Sequence, residues 1–369
     1  MRRTTTALAF ALAGLIVLGC SDSSGPARPP VDEPEPPAPP APPPPPAPDL
    51  EGWATYALTL NNRLVVFGSE NPSDIAMDAP IAGLPFGKRI VGIAFHPSNG
   101  KLYGVGNDSR VYTIDRGTGA ATVVGSAPFQ PSIFQFFDVH FAMGFDPATE
   151  RIRLISAESG TNWSIDPDDG TAIRGDNVQY ADGDENEGHR PAIAGLAYTG
   201  ANGTAGARVM RKRVASSKAT DLCEELMWAI DADLAELIGS CNPDEADFVS
   251  IAPIPVFGLA ACAEITFDPG ENLWATMHWR PEEGVELRSS LFHIDPETSE
   301  VSFIADLTIE SPVQSIAFDP LVPFNAAPRP GSAAPRQTMA ARRVAQLVDS
   351  SVREDGASCT PASEGASGR

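Results

Sequence analysis

From residue 90 onward, apolar and small residues alternate in short runs that end alike. One run reads apolar-small-apolar-small-aromatic-X-Pro. It stands as Val91-Gly92-Ile93-Ala94-Phe95-His96-Pro97 and as Phe141-Ala142-Met143-Gly144-Phe145-Asp146-Pro147. It returns as Ala263-Glu264-Ile265-Thr266-Phe267-Asp268-Pro269 and Gln314-Ser315-Ile316-Ala317-Phe318-Asp319-Pro320, with a degenerate copy at Gly195-Leu196-Ala197-Tyr198-Thr199. The aromatic positions 95, 145, 198, 267 and 318 are 50, 53, 69 and 51 residues apart. A period-two pattern bounded by turn residues predicts strands, and a fixed repeat of this length predicts an array of like units.

A second run follows each of the first four: Tyr112-Thr113-Ile114-Asp115, Trp163-Ser164-Ile165-Asp166, Trp228-Ala229-Ile230-Asp231 and Phe292-His293-Ile294-Asp295. With a middle run such as Lys101 to Val105 and a closing run such as Ala121 to Val124, each unit holds four short strands. Four strands in about 50 residues is the size of a β-propeller blade. The fifth unit has only its first strand, Val313 to Phe318. Its other three are supplied by Ala54 to Leu60, Arg63 to Phe67 and Ile75 to Met77. The expected fold is all-β: a propeller of five four-stranded blades over 51–324, the last blade closed by strands from both ends. Such closure leaves no open sheet edge at the joint.

The segments Leu58 to Phe67, Val91 to Pro97, Leu102 to Val105, Arg110 to Asp115 and Val124 to Phe129 resemble the bacterial domain-of-unknown-function family 4394. Gly144 to Ser156 and Tyr180-Ala181-Asp182-Gly183-Asp184 fit as well, so the likeness is strongest over 55–200. The resemblance implies an exported, propeller-like domain and transfers no catalytic residue.

The N-terminus reads as an address. Arg2 and Arg3 precede an apolar run, Ala7 to Leu18, too short to span a bilayer. It ends at Val17-Leu18-Gly19-Cys20, similar to the lipobox of bacterial lipoproteins. That resemblance implies a signal peptide at 1–19, cleavage before Cys20 and lipidation of Cys20, the membrane being reached through the lipid anchor alone. Ser21 behind the cysteine favours the outer membrane by the same resemblance. Residues 20–50 form a proline-rich tether, which adopts extended polyproline II and packs no core. Residues 325–369, rich in Ala, Pro, Ser, Gly and Arg, read as a disordered tail.

Composition narrows the function. The net charge is −22, which repels phosphate backbones and excludes nucleic acid as a partner. Export allows disulfides. Cys223 and Cys241 lie about equally far from Ala232, so the expected hairpin places them opposite one another, at disulfide spacing, with Cys241 to Cys262 as the alternative pairing. Asp182-Gly183-Asp184-Glu185-Asn186-Glu187-Gly188 offers Asp182, Asp184 and Asn186 as oxygen ligands for calcium, although Glu187 and Ile193 break the EF-hand pattern. Aligned first strands put Gly92, Ala142, Gly195, Glu264 and Ser315 in one column, so Glu264 is an acid at the crowded ring centre, a metal ligand, an acid/base or a paired structural acid. Strand order places the aromatic-X-Pro and Ile-Asp turns on one face. The opposite face is the one expected to carry a ligand; it is assigned Asn107 to Ser109, Phe136 to His140, Asp176 to Arg190 and the 212–225 and 277–288 insertions. No nucleophile–base or phosphate-loop motif occurs, and no cofactor beyond calcium is implied. The expectation is a monomeric, membrane-tethered binding or scaffold module of the cell envelope for a protein or glycan. The competing expectation is a metal-dependent, lactonase-like hydrolase using Glu264 and the acidic loop.

Overall fold

The computed structural model describes residues 50–133, 140–199, 227–254, 263–279, 288–296 and 298–322. Cys20, Cys223, residues 134–139 and the 212–225 insertion lie outside them, as do the signal, the tether and the tail.

The strands in chain order are β1 (Ala54–Thr59), β2 (Arg63–Gly68) and β3 (Asn71–Pro80), then β4 (Ile90–Phe95), β5 (Leu102–Gly106), β6 (Arg110–Ile114) and β7 (Ala121–Val124). Next come β8 (Phe141–Asp146), β9 (Arg151–Ser156), β10 (Asn162–Ile165), β11 (Ala172–Arg174) and the short β12 (Gln179–Tyr180). The chain continues with β13 (Ile193–Tyr198), β14 (Met227–Asp231), β15 (Glu236–Ser240) and β16 (Asp247–Pro253). It ends with β17 (Ala263–Phe267), β18 (Leu273–Trp279), β19 (Arg288–Ile294), β20 (Val301–Leu307) and β21 (Val313–Phe318). They form five sheets: β4 to β7 (blade 1), β8 to β11 (blade 2), β13 to β16 with β12 added (blade 3), β17 to β20 (blade 4) and β21-β1-β2-β3 (blade 5). The innermost strands β4, β8, β13, β17 and β21 touch in sequence and close the ring back on β4. The joint is an antiparallel pair, β1 on β21, from Thr55↔Phe318 to Thr59↔Val313. This is a five-bladed β-propeller. Among the described residues no helix is long and apolar enough to cross a membrane.

The core lies between blades. Tyr56, Leu58, Ile93 and Phe95 share one buried cluster across blades 5 and 1, and Tyr103, Val105, Phe141 and Met143 share another across blades 1 and 2. The repeat explains this packing. Four of the five motif aromatics on first strands meet an aromatic on the second strand of the preceding blade. The pairs are Tyr56–Phe95 at 5.1 Å, Tyr103–Phe145 at 5.5 Å, Trp228–Phe267 at 6.2 Å and Trp274–Phe318 at 5.7 Å between centroids. Edge-to-face and tilted pairs at these distances are favourable beyond their buried area.

The turns obey one chemistry. Asp146, Asp268 and Asp319, at the X of aromatic-X-Pro, accept backbone N–H groups of the turn that follows, and His96 does the same through Nδ1. Asp115, Asp166 and Asp295 cap the turn after the third strand in the same way. These acids belong to Asx-turns, which is why the repeat carries them.

Two features depart from the sequence reading. Trp228-Ala229-Ile230-Asp231 is the second strand of blade 3, not the third. Asp231 caps the turn toward β15 through Asp233 N, so this Ile-Asp turn lies on the opposite face from the other three. An Asx-turn forms after either strand, so the motif cannot count strands. The hairpin is therefore centred later than Ala232, with Met227 facing Ser240, and Cys223 lies outside the described residues. Cys241 is disulfide-bonded, and its partner lies outside the described residues. The second departure is β12, which pairs in parallel with the outermost strand β16. The link leaving blade 5 makes a lesser version of the same contact, Ala82 with Ala120. Gly125, leaving blade 1, comes so close to blade 2 that a Cβ would lie 2.0 Å from the Asp169 carbonyl oxygen, at a φ of +72°. Only glycine fits there.

Candidate functional site

The expected metal ligands fall into two groups that do not meet. Glu264 sits on the innermost strand of blade 4 and is 1% exposed. Its Oε1 accepts from Leu196 N and Ile265 N, both at 3.2 Å, while Oε2 has no hydrogen-bond partner among the described residues. Gly195 makes this approach possible, because a Cβ there would lie 2.7 Å from Ile265 N. Ser315, in the same column of blade 5, likewise accepts from Ile93 N on blade 1. The column thus ties neighbouring inner strands together. Burial pushes the Glu264 carboxyl well above its usual range, against the two backbone donors that lower it.

The acidic loop is fastened to the outside of blade 3. Asp184 accepts from Ser250 N at 2.9 Å and Ser250 Oγ at 3.1 Å. Asn186 Nδ2 donates to Glu236 and to Ser250 Oγ, both at 2.9 Å, and Asp182 is exposed. Ser250 lies on the outermost strand and Glu264 on an innermost one, so about three strand spacings of roughly 4.8 Å separate their layers. The two groups that motivated the hydrolase expectation therefore do not share one space. Beside the loop, His189, Asp231 and Asp233 place three ligand-type atoms within 4.8 Å of one another, a cluster the sequence reading missed. Asp231 already accepts from Tyr180 OH at 2.8 Å and from Ala192 N and Asp233 N. Burial first, then Asp231, raises the Tyr180 pKa far above its usual value.

Two further histidines are buried between inner strands. His140 binds the Ala194 carbonyl and His278 the Val313 carbonyl through Nε2. Burial lowers both, His278 to about 4, where His140 adds repulsion.

The described residues enclose a cavity of about 280 Å³ on the face of the aromatic-X-Pro turns, opposite to the face the sequence reading favoured. It is a funnel down the ring axis. Its wall is the second small column of the repeat, Ala94, Gly144, Ala197, Thr266 and Ala317, and its rim is Pro97, Pro147, Pro269 and Pro320. Two acids line it, Asp268 and Glu271. Asp268 is buried and saturated by Gly270 N, Asn272 N, Asn272 Nδ2 and Trp274 Nε1. The Glu271 carboxylate carries no hydrogen bond or ion pair among the described residues, and its backbone is held at a φ of +64°. The same turn has a positive φ at Glu150 in blade 2 and at Gly100 in blade 1, so this conformation belongs to the repeated turn.

One wall breaks the repeat. Where four blades have Tyr or Trp, blade 2 has Arg153, 2% exposed and facing Tyr198. Its Nη1 donates to Asn162 Oδ1 at 3.1 Å and its Nη2 to Asp244 Oδ1 at 2.7 Å. Burial works to lower its pKa, and Tyr198 and Asp244 outweigh that.

A ring of five four-stranded sheets with an axial funnel defines the class: a β-propeller with an apolar central site. The chain belongs to the family described as domain of unknown function DUF4394, whose family model matches residues 63–317. A search of curated proteins finds no match. Among solved structures, similarity is found to a nidogen/laminin complex at 11% identity and TM-score 0.38, covering 72% of this chain and 98% of that one. An auxiliary nutrient binding protein from Bacteroides ovatus matches at 14% identity and TM-score 0.35, covering 68% and 58%. A protein of unknown function from Bacteroides thetaiotaomicron matches at 12% and 0.38, covering 73% and 65%.

Proposed function

We propose that the protein is a binding module, tethered to the bacterial envelope membrane through Cys20, whose axial funnel takes a cationic group on an aliphatic stem. The observation that carries this reading is the funnel's composition. Its wall is apolar and small, and one carboxylate, Glu271, stands in it without a partner among the described residues. A guanidinium or ammonium group with a methylene stem matches both parts, since the stem desolvates against the wall while the head pairs with the acid. A lysine or arginine side chain of an envelope protein has this chemistry.

Titration with arginine amide and with its neutral isostere citrulline amide tests the reading. Arginine amide is expected to bind and citrulline amide to bind at least tenfold more weakly. Glu271→Gln should erase that preference, because it keeps the shape and removes the charge. Gly144→Leu, which fills the funnel, should abolish binding of both. Equal binding of the two amides to the unmodified protein would refute the assignment.

A further inference from the structure

We propose that the funnel has an occupant within the same chain: Arg329, at the start of the C-terminal tail, docks beside Glu271 and competes with external ligand. The proposal rests on the funnel reading above and adds its regulation. Three observations lead to it. The first is where the folded domain ends. Phe318 and Pro320 form part of the funnel lining, Leu321 packs against Gly100, and Val322, the last described residue, packs on the cluster between blades 5 and 1. The tail therefore starts two residues beyond the rim residue Pro320, at the seam of blades 5 and 1. Arg329 is seven residues beyond Val322, a reach of up to about 20 Å.

The second observation is charge. Residues 323–348 contain Arg329, Arg336, Arg342 and Arg343 and no Asp or Glu, within a chain of net charge −22. The turns around the funnel are acidic: Asp115, Glu150, Asp168, Glu245 and Glu300 are exposed there. The arginines on that face are already paired, Arg116 with Asp319, Arg151 with Asp166 and Arg153 with Asp244. The third is local stiffness. Arg329 stands between Pro328 and Pro330, and proline restricts backbone freedom, which lowers the ordering cost of presenting one side chain.

Tethering makes a weak contact sufficient. A short connection supplies an effective concentration on the order of millimolar, so a site of millimolar affinity for a guanidinium would be substantially filled by its own tail. External ligand would then bind only the open fraction, with its apparent affinity reduced accordingly.

The experiment compares arginine amide binding to the full chain and to full-chain Arg329→Gln. The variant is expected to bind roughly tenfold more tightly, and a synthetic peptide of residues 323–336 should displace the amide from it. Equal affinity of the two chains overturns the docking and leaves the funnel reading intact. Binding to neither chain sinks both. If the difference between the chains grows with protein concentration, the plug comes from a second copy, and docking within one chain is wrong. Hydrogen exchange at Gly270 to Asn272 gives a readout without ligand: Arg329→Gln should speed it, and unchanged exchange counts against the proposal.

Discussion

At the scale of single residues, the ring centre holds groups whose charge the fold opposes. Glu264 is raised and His278 and His140 are lowered, in each case chiefly by burial. The pH consequences run in opposite directions. An unfolded carboxyl gives up its proton near pH 4.3, so the Glu264 contribution is full below that value and is lost as pH rises through the folded pKa. An unfolded imidazole takes up a proton near pH 6.5, so the histidine contribution is full above that value and is lost as pH falls toward the folded pKa, about 4 for His278. For His278 alone the shift corresponds to something on the order of 3 kcal/mol. Glu264→Gln keeps the acceptor for Leu196 N and cannot ionise. It should match the parent within about 1 kcal/mol at pH 5 and exceed it at pH 8. Thermal melts at the two pH values check this, and equal melting at pH 8 would mean that Glu264 ionises in place at little cost. His278→Asn should flatten the acid limb between pH 6.5 and 4.

At the scale of elements, the propeller depends on β21 more than on any edge strand. Its partners are β1 within the blade and the inner strands β4 and β17 on either side. A chain that ends at Ser311 lacks it, leaving β1 with an unpaired edge and the buried Phe318 site empty. That chain is expected to lose cooperative unfolding, whereas one that ends at residue 324 keeps it; denaturant titration followed by tryptophan fluorescence distinguishes them. Turn acids should divide by burial. Asp268→Ala strands the Trp274 and Asn272 donors and should cost about 2–4 kcal/mol, while Asp115→Ala, in an exposed turn, should cost about 1 kcal/mol or less. The element pattern was largely readable beforehand, including the split blade, because period-two alternation and Asx-turn residues act locally. It failed at Trp228, where an aromatic needed for packing on Phe267 imitates the aromatic that elsewhere opens the third-strand motif.

At the scale of the whole molecule, the first and last described strands, β1 and β21, pair with one another in blade 5. If Cys20 carries the lipid, Cys20→Ala should abolish fatty-acid labelling and move the protein out of the membrane fraction; labelling that persists would remove the anchor.

What the sequence determined by itself is what short-range physics controls. Alternation sets strands, capped turns set their ends, and a repeated column of small residues marks the ring centre, so fold class, blade number and the burial of Glu264 could be read directly. The tertiary structure alone decided which groups share a space. Only the closed ring shows that Asp268 is saturated while Glu271 is not, that Asp184 is spent on Ser250 far from Glu264, and that Arg153 replaces an aromatic beside Tyr198. These depend on residues tens to hundreds of positions apart, and on which side chain fills each gap between blades. No local pattern encodes that.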